Sequence, residues 1–160
     1  MKNIDPNDPT RLLLTGQQRT EGFLVSAAGN IDRRWKISGG YASFFARVTQ
    51  DTASAPAGRR VGLVPRHQVT LWSTYDVTSR WIAGGGLNAR SRAYTSFTNA
   101  VTLPSFVRVD GLVAYRMGRY RLQMNAENLF DTRYYPTANG DNNISPGSPR
   151  NVQLSLRASF

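Results

Sequence analysis

Strict alternation of apolar and polar residues is the feature that most limits what this 160-residue chain can become. Tyr120, Leu122, Met124 and Ala126 alternate with Arg121, Gln123, Asn125 and Glu127. The end of the chain repeats the pattern, with Val152, Leu154, Leu156, Ala158 and Phe160 set against Asn151, Gln153, Ser155, Arg157 and Ser159. A period of two belongs to strands with one apolar and one polar face. The fold then depends on which solvent each face meets.

Residues 1–11 are polar, contain Pro6 and Pro9, and read as a loop. A strand starts weakly at Leu12, is clearer across Phe23, Val25 and Ala27, and ends in a turn at Gly29-Asn30-Ile31-Asp32. Further strands are predicted from Trp35 to about Val48, from Arg66 to Asp76, from Trp81 to Arg92 and from Val107 to Arg116. Met117-Gly118 turns the chain into the final pair, making seven strands. Gly, Ser, Thr, Asn and aromatics outweigh Glu and Lys, which favours an all-β chain. No window reaches the roughly 18 apolar residues of a membrane helix, a limit that does not apply to barrels. Cysteine is absent, which removes disulfides and thiol chemistry.

Three features separate a membrane barrel from a soluble sandwich. Connections alternate short (29–33, 77–80, 116–119) and long (1–11, 49–65, 93–104, 130–149), the asymmetry of tight turns on one side of a membrane and extended loops on the other. Trp35, Tyr75, Trp81, Tyr115, Tyr120 and Phe160 lie on the apolar face beside the short turns, as a girdle at one membrane interface requires. The apolar faces of the last four strands carry no charge, whereas Arg80, Arg90, Arg92, Arg108, Asp110, Arg116, Arg119, Arg121, Glu127 and Arg157 fall on the other side. An Arg facing lipid at mid-depth costs about 2–4 kcal/mol, so a bilayer would enforce this segregation. An apolar band about 25 Å tall, crossed at roughly 40° tilt, needs about ten residues per strand, as found.

The formal net charge is +10, carried almost wholly by Arg. Solvated loops, anionic headgroups or a lumen for anionic solutes would all use it. No helix concentrates it and no nucleic-acid-binding module is present, so no nucleic-acid partner is expected. His67, the only histidine, has no carboxylate at ligand spacing and is expected at the external headgroup level; no metal or other cofactor is expected. Gly84-Gly85-Gly86 lacks the helix and the Lys of a phosphate loop and reads as a wall of small residues against an internal plug. Asp141-Asn142-Asn143 lacks the spacing of a calcium loop, and no nucleophile elbow suggests an enzyme. Met1-Lys2-Asn3-Ile4-Asp5-Pro6 has no apolar core of a secretory signal, so any export signal is expected outside this sequence.

Asn128-Leu129-Phe130-Asp131-Thr132-Arg133-Tyr134-Tyr135, with Gly140-Asp141-Asn142-Asn143, Pro146-Gly147-Ser148-Pro149-Arg150 and the closing strand, resembles the C-terminal end of TonB-dependent siderophore receptors. Gly16-Gln17-Gln18-Arg19-Thr20 and Gly62-Leu63-Val64-Pro65-Arg66-His67 extend the resemblance through most of the chain. It departs from the family in having no acid near Leu24 and Ser26. The resemblance implies an antiparallel, up-and-down transmembrane barrel of 22 strands, closed by an N-terminal plug and importing ferric siderophores with energy from an inner-membrane TonB complex. Residues 1–160 would then form a single partial domain, the last seven strands, with the plug and the energy-coupling box absent, as from a truncated or split gene. Open strand edges point the same way, because lipid cannot satisfy them.

On this reading the protein resides in the bacterial outer membrane, in contact with its lipid and with the barrel-assembly machinery. Leu154, Leu156 and Phe160 resemble the C-terminal signal that this machinery recognises, beside ordinary girdle packing. Arg90, Arg92, Arg108 and Arg121 are candidates for a positive path for an anionic ferric chelate, with pairing to Asp110, Glu127 or plug acids as the alternative. Tyr94, Tyr134 and Tyr135, in or near external loops, are candidate siderophore contacts. Two rival readings remain. One is a small self-contained barrel with a structural or adhesion role, needing an eighth strand from Leu12–Leu14 or a partner; the other is a soluble β-sandwich binding module.

Overall fold

The computed structural model describes residues 2–5, 8–14, 16–52 and 55–159. The strands are β1 (Lys2–Asp5), β2 (Asp8–Leu14), β3 (Gln17–Asn30), β4 (Trp35–Gln50), β5 (His67–Asp76), β6 (Trp81–Arg90), β7 (Ala93–Tyr94), β8 (Thr102–Leu103), β9 (Phe106–Met117), β10 (Tyr120–Glu127), β11 (Thr137–Ala138), β12 (Ile144–Ser145) and β13 (Asn151–Ala158). Seven of them form one antiparallel sheet in the order β13-β10-β9-β6-β5-β4-β3. Each therefore pairs only with its neighbours along the chain among the long strands, the up-and-down order expected. The expected roles of Phe160, in the girdle and in the assembly signal, lie outside the described residues.

Register decides which side chains share a face. Trp35 stands opposite Tyr75, Leu71 opposite Leu87, Leu87 opposite Val109, Met124 opposite Val113 and Leu154. The alternating apolar sets thus fuse into one continuous surface across the sheet. That surface points outward: Leu154 is 71% exposed, Leu122 43% and Val113 40%. No second layer covers it among the described residues, so the two-layer interior of a sandwich is overturned. The other face is concave. A hollow of about 770 Å³ on it is lined by residues of β3, β4, β5, β6 and β9, among them Ser26, Gln68, Thr70, Asn88 and Asp110.

Several local expectations are corrected. Residues 2–5 pair with β2, setting Ile4 opposite Leu12, so residues 1–11 are not all loop and Leu12–Leu14 belongs to a separate hairpin rather than to the large sheet. Four residues are too few to display a period. The first tight connection falls at 31–34 rather than 29–33, and there Asp32 Oδ1 accepts from the backbone N–H groups of Arg34 (2.6 Å) and Trp35 (2.8 Å). The long connections at 93–104 and 130–149 are not featureless, since they contain the short pairs β7–β8 and β11–β12. Within the sheet, Gly84-Gly85-Gly86 has a packing role of its own. A Cβ on Gly86 would lie 2.5 Å from the Trp72 ring and 2.3 Å from the Leu71 carbonyl, so glycine leaves room for an indole packed across the strand.

Candidate functional site

The inner-face site grows from the turn that follows β10. Asn128 and Asp131 both hold left-handed backbone angles (φ 54° and 52°), which Asn and Asp tolerate better than most residues. The Asn128 side chain is fully buried and acts as a clamp. Its Nδ2 donates to the carbonyls of Thr132 and Ser148, both at 3.0 Å, and its Oδ1 accepts from the Thr132 N–H at 2.9 Å. Asp131 Oδ1 accepts from the Arg150 N–H at 2.8 Å. One polar residue thereby fastens both ends of the last long loop to the sheet.

The Asn128 N–H donates to Asp110 Oδ1 at 2.9 Å, which joins the clamp to a charged cluster. Arg108 donates to Glu127 (2.6 Å), Asp110 (3.0 Å) and the Tyr134 hydroxyl (3.2 Å). Tyr134 is buried, lies against Phe106 with ring centroids 4.7 Å apart, and rests on Gly147, where a Cβ would stand 2.2 Å from the ring. Arg90 completes the row, its guanidinium 5.1 Å from the Phe106 centroid and its Nη2 donating to the Tyr135 carbonyl at 2.9 Å. Two guanidinium groups therefore flank an aromatic pair. They border a cavity of about 470 Å³ also lined by Gln68, Asn88 and Pro146.

The two arginines differ in what is left over. Arg108 spends its charge on two carboxylates, whereas Arg90 has no acid partner among the described residues. The buried Nε atoms of both arginines lack a hydrogen-bond partner among the described residues, so the difference lies in the carboxylates alone. Arg90 is thus the cation of this cavity without a carboxylate partner among the described residues.

The seven candidate ligand residues separate into three places. Arg90, Arg108 and Tyr134 meet at the cavity just described, with the Tyr135 backbone. Arg121 lies at the short-turn end in a polar ladder on β10, donating to Gln123 (2.8 Å), which donates to Asn125 (2.8 Å). β6 ends at Arg90, so alternation no longer assigns Arg92 to the inner face. Arg92 and Tyr94 instead line a second cavity of about 460 Å³ with Arg60, Arg66 and His67. Sequence reasoning missed Phe106, Asn128 as a clamp, and Arg60 with Arg66. Phe106 sits one residue before the recognised alternation, and the other three act through contacts distant in sequence.

The long connections are also stitched to one another. Asn99 Nδ2 donates to the Arg60 carbonyl at 2.9 Å and its Oδ1 accepts from the Arg60 N–H at 2.8 Å. Asp141 accepts from the hydroxyls of Thr95 and Thr98, the latter at 2.7 Å. Those hydroxyls, Thr95 foremost, hold the Asp141 carboxyl below the usual carboxylate range.

At the other end, Trp35, Tyr75, Trp81 and Tyr115 share the outward face beside the short turns, with Tyr120 one pair beyond. The Trp81 and Tyr115 rings are 4.8 Å apart, and Trp35 Nε1 donates to Ser73 Oγ at 2.7 Å. Leu154 and Leu156 are exposed on β13, opposite Met124 and Leu122. Among the described residues no three His, Asp or Glu side chains converge as a metal would need.

Comparison with known proteins agrees with this architecture. The metal-pseudopaline receptor CntO of Pseudomonas aeruginosa is 32% identical over 99% of this chain, which covers 24% of that protein. Among solved structures, the siderophore receptor PiuA from Acinetobacter baumannii superposes with a TM-score of 0.83 at 27% identity, over 96% of this chain and 23% of that one. The closed form of the ferric-catecholate import receptor Fiu from Escherichia coli gives 0.84 at 27% identity, over 99% and 23%. The chain spans about a quarter of the length of these relatives. The family described as TonB dependent receptor-like, beta-barrel, matches residues 3–129. With seven antiparallel strands, an apolar exterior and a concave polar interior, the chain belongs to the TonB-dependent receptor β-barrel family.

Proposed function

We propose that residues 1–160 form the C-terminal portion of the barrel of an outer-membrane receptor for energy-coupled uptake of ferric siderophores. The observation that carries this reading is the match of nearly the whole chain to siderophore receptors in both sequence and fold. In the barrel, the β3 and β13 edges are closed by strands from outside this sheet, because lipid offers no hydrogen-bond partners. The outward apolar face meets lipid, and Trp35, Tyr75, Trp81, Tyr115 and Tyr120 anchor it at one interface. The inner face walls the translocation path. There Arg90, beside Phe106 and Tyr134, attracts the anionic ferric chelate, and Tyr135 stands at a loop that meets it. Arg108 holds this wall together through Asp110 and Glu127, and Arg121 lines the exit side. Leu154 and Leu156 on β13 present the motif read by the barrel-assembly machinery. Energy comes from the inner-membrane TonB complex through a part of the receptor other than this sheet, and the protein acts as a transporter rather than an enzyme.

The test replaces the matching quarter of Fiu with this chain in a strain lacking siderophore receptors. The chimera is expected to restore energy-dependent uptake of a ferric siderophore, and Arg90→Gln in it to reduce uptake at limiting concentration several-fold. The chain expressed alone is expected to transport nothing. Heat-modifiable migration of the chain alone as a closed monomer would instead support the self-contained barrel.

A further inference from the structure

A second group of arginines faces outward. Phe45 stands opposite Glu21 and Arg47 opposite Arg19 in the β3–β4 register, on the same face as Trp35, Val25 and Phe23. Three guanidinium groups gather around the Phe45 ring, those of Arg60, Arg66 and Arg47 at 5.1, 5.7 and 5.8 Å from its centroid. Arg60 and Arg66 also line the 460 Å³ cavity, with Arg92, His67, Ser91 and Tyr94. Among the described residues no carboxylate lines that cavity. The nearby acids are engaged elsewhere: Glu21 with Arg19 at 2.5 Å, Asp51 with the Ala57 N–H, and Asp141 with two threonine hydroxyls.

Like charges at this spacing repel one another and are held there by the backbone. Asn99 grips Arg60 from both sides, the Arg66 carbonyl accepts from the Phe44 N–H at 2.9 Å, and His67 and Ser91 exchange hydrogen bonds at 2.9 and 3.0 Å. The pocket is thus pre-formed and cationic. Its height is set by β4. Ten residues separate Trp35 from Phe45 on one face, and at about 3.3 Å per residue and roughly 40° tilt this spans about 25 Å, the height of the apolar band. With Trp35 at one interface, the arginines stand at the other, turned toward the lipid.

We propose that this pocket binds phosphate groups on the headgroup of an outer-leaflet lipid, with Arg60 and Arg66 as principal ligands and Arg47 and Arg92 at its margins. Guanidinium forks match phosphate oxygens in pairs, and a compact cluster of them on an outward rim is complementary to a phosphorylated headgroup rather than to a lumenal solute. The inference rests on the outer-membrane reading above and adds a lipid ligand to it.

The test uses the receptor carrying this segment, reconstituted in phosphatidylcholine nanodiscs doped with diphosphorylated lipid A or with the same lipid freed of its phosphates. Native mass spectrometry counts the lipid retained. The Arg60→Gln/Arg66→Gln variant is expected to retain at least tenfold less diphosphorylated lipid than the unaltered protein, given about fivefold per arginine at a membrane surface. Arg33→Gln/Lys36→Gln, which removes as much charge at the opposite end, is expected to retain it fully. Retention by the Arg60/Arg66 variant within twofold of the unaltered protein, equal retention of the dephosphorylated lipid, or displacement by millimolar inorganic phosphate would each overturn the proposal. If the unaltered protein does not enter the nanodisc at all, the membrane reading falls and the lipid site with it. Insertion with an unaffected variant removes the lipid site alone.

Discussion

The two ends of this sheet are built by different means. At the short-turn end, backbone groups are satisfied by residues two or three positions away. Asp32 closes one turn, and Thr78 Oγ1 accepts from the N–H groups of Arg80 (3.2 Å) and Trp81 (3.0 Å) in the next. At the long-loop end the partners are 18 to 46 residues apart: Asn128 with Asp110 and Ser148, Asn99 with Arg60, Asp141 with Thr95. One end is a set of local turns ringed by aromatics. The other is a fabric of cross-loop hydrogen bonds, and it is there that Arg90, Phe106 and Tyr134 are positioned.

The largest expected effect breaks a rule both ends share, the division of faces. Met124→Arg puts a charge on the outward surface and should destabilise the folded protein in lipid by about 2–4 kcal/mol, whereas Gln123→Arg, one residue away on the inner face, should cost less than about 1 kcal/mol. Denaturant unfolding in bilayers measures both, and equal costs would mean that lipid does not meet the Met124 face. Asn128→Ala comes next. It orphans buried carbonyl and amide groups and should cost about 2–3 kcal/mol, against under about 1 kcal/mol for Thr78→Ala at the exposed turn. Parity between these two would erase the distinction between the ends.

Gly147→Ala should follow at about 1–3 kcal/mol, since the Tyr134 ring must move to admit a methyl group. A several-fold loss of ferric-siderophore affinity should accompany it if Tyr134 and Arg90 form the contact surface; unchanged affinity would place the contact elsewhere. The smallest effect concerns Asp141. Its carboxyl titrates below the usual carboxylate range, so the clip to Thr95 and Thr98 is intact at neutral pH and is lost only as pH falls through that depressed value. A carbon NMR titration of labelled Asp141 should show its midpoint rise toward the usual range in Thr98→Val. An unmoved midpoint would show that the hydroxyls do not hold the loops together.

The same contrast explains what the sequence discloses. Alternation is a local signal, so the seven strands and the sorting of Leu122, Met124 and Leu154 from Arg121, Gln123 and Gln153 were legible without coordinates. So were the short turns and the rings beside them. Alternation fails where a strand stops, which is why spacing carried Arg92 to the inner face although β6 ends at Arg90, and why Phe106 was passed over. Asn128 was visible as part of a family motif, yet its action as a clamp depends on Ser148 and Thr132, whose positions only the folded loop fixes. Arg47, Arg60 and Arg66 are separated by a long connection and gather on one ring only after that connection folds back along β4.

The meander order of the sheet has a kinetic meaning. Each of the seven strands finds its partner next to it along the chain, so no step of assembly has to search across an already formed sheet. Hairpins such as β9–β10, joined only by Gly118 and Arg119 between their paired ends, can zip first and hand a free edge to the next strand. Growth by this route lays down the wall as a ratchet of nearest-neighbour additions, with the cross-loop stitches drawn tight last.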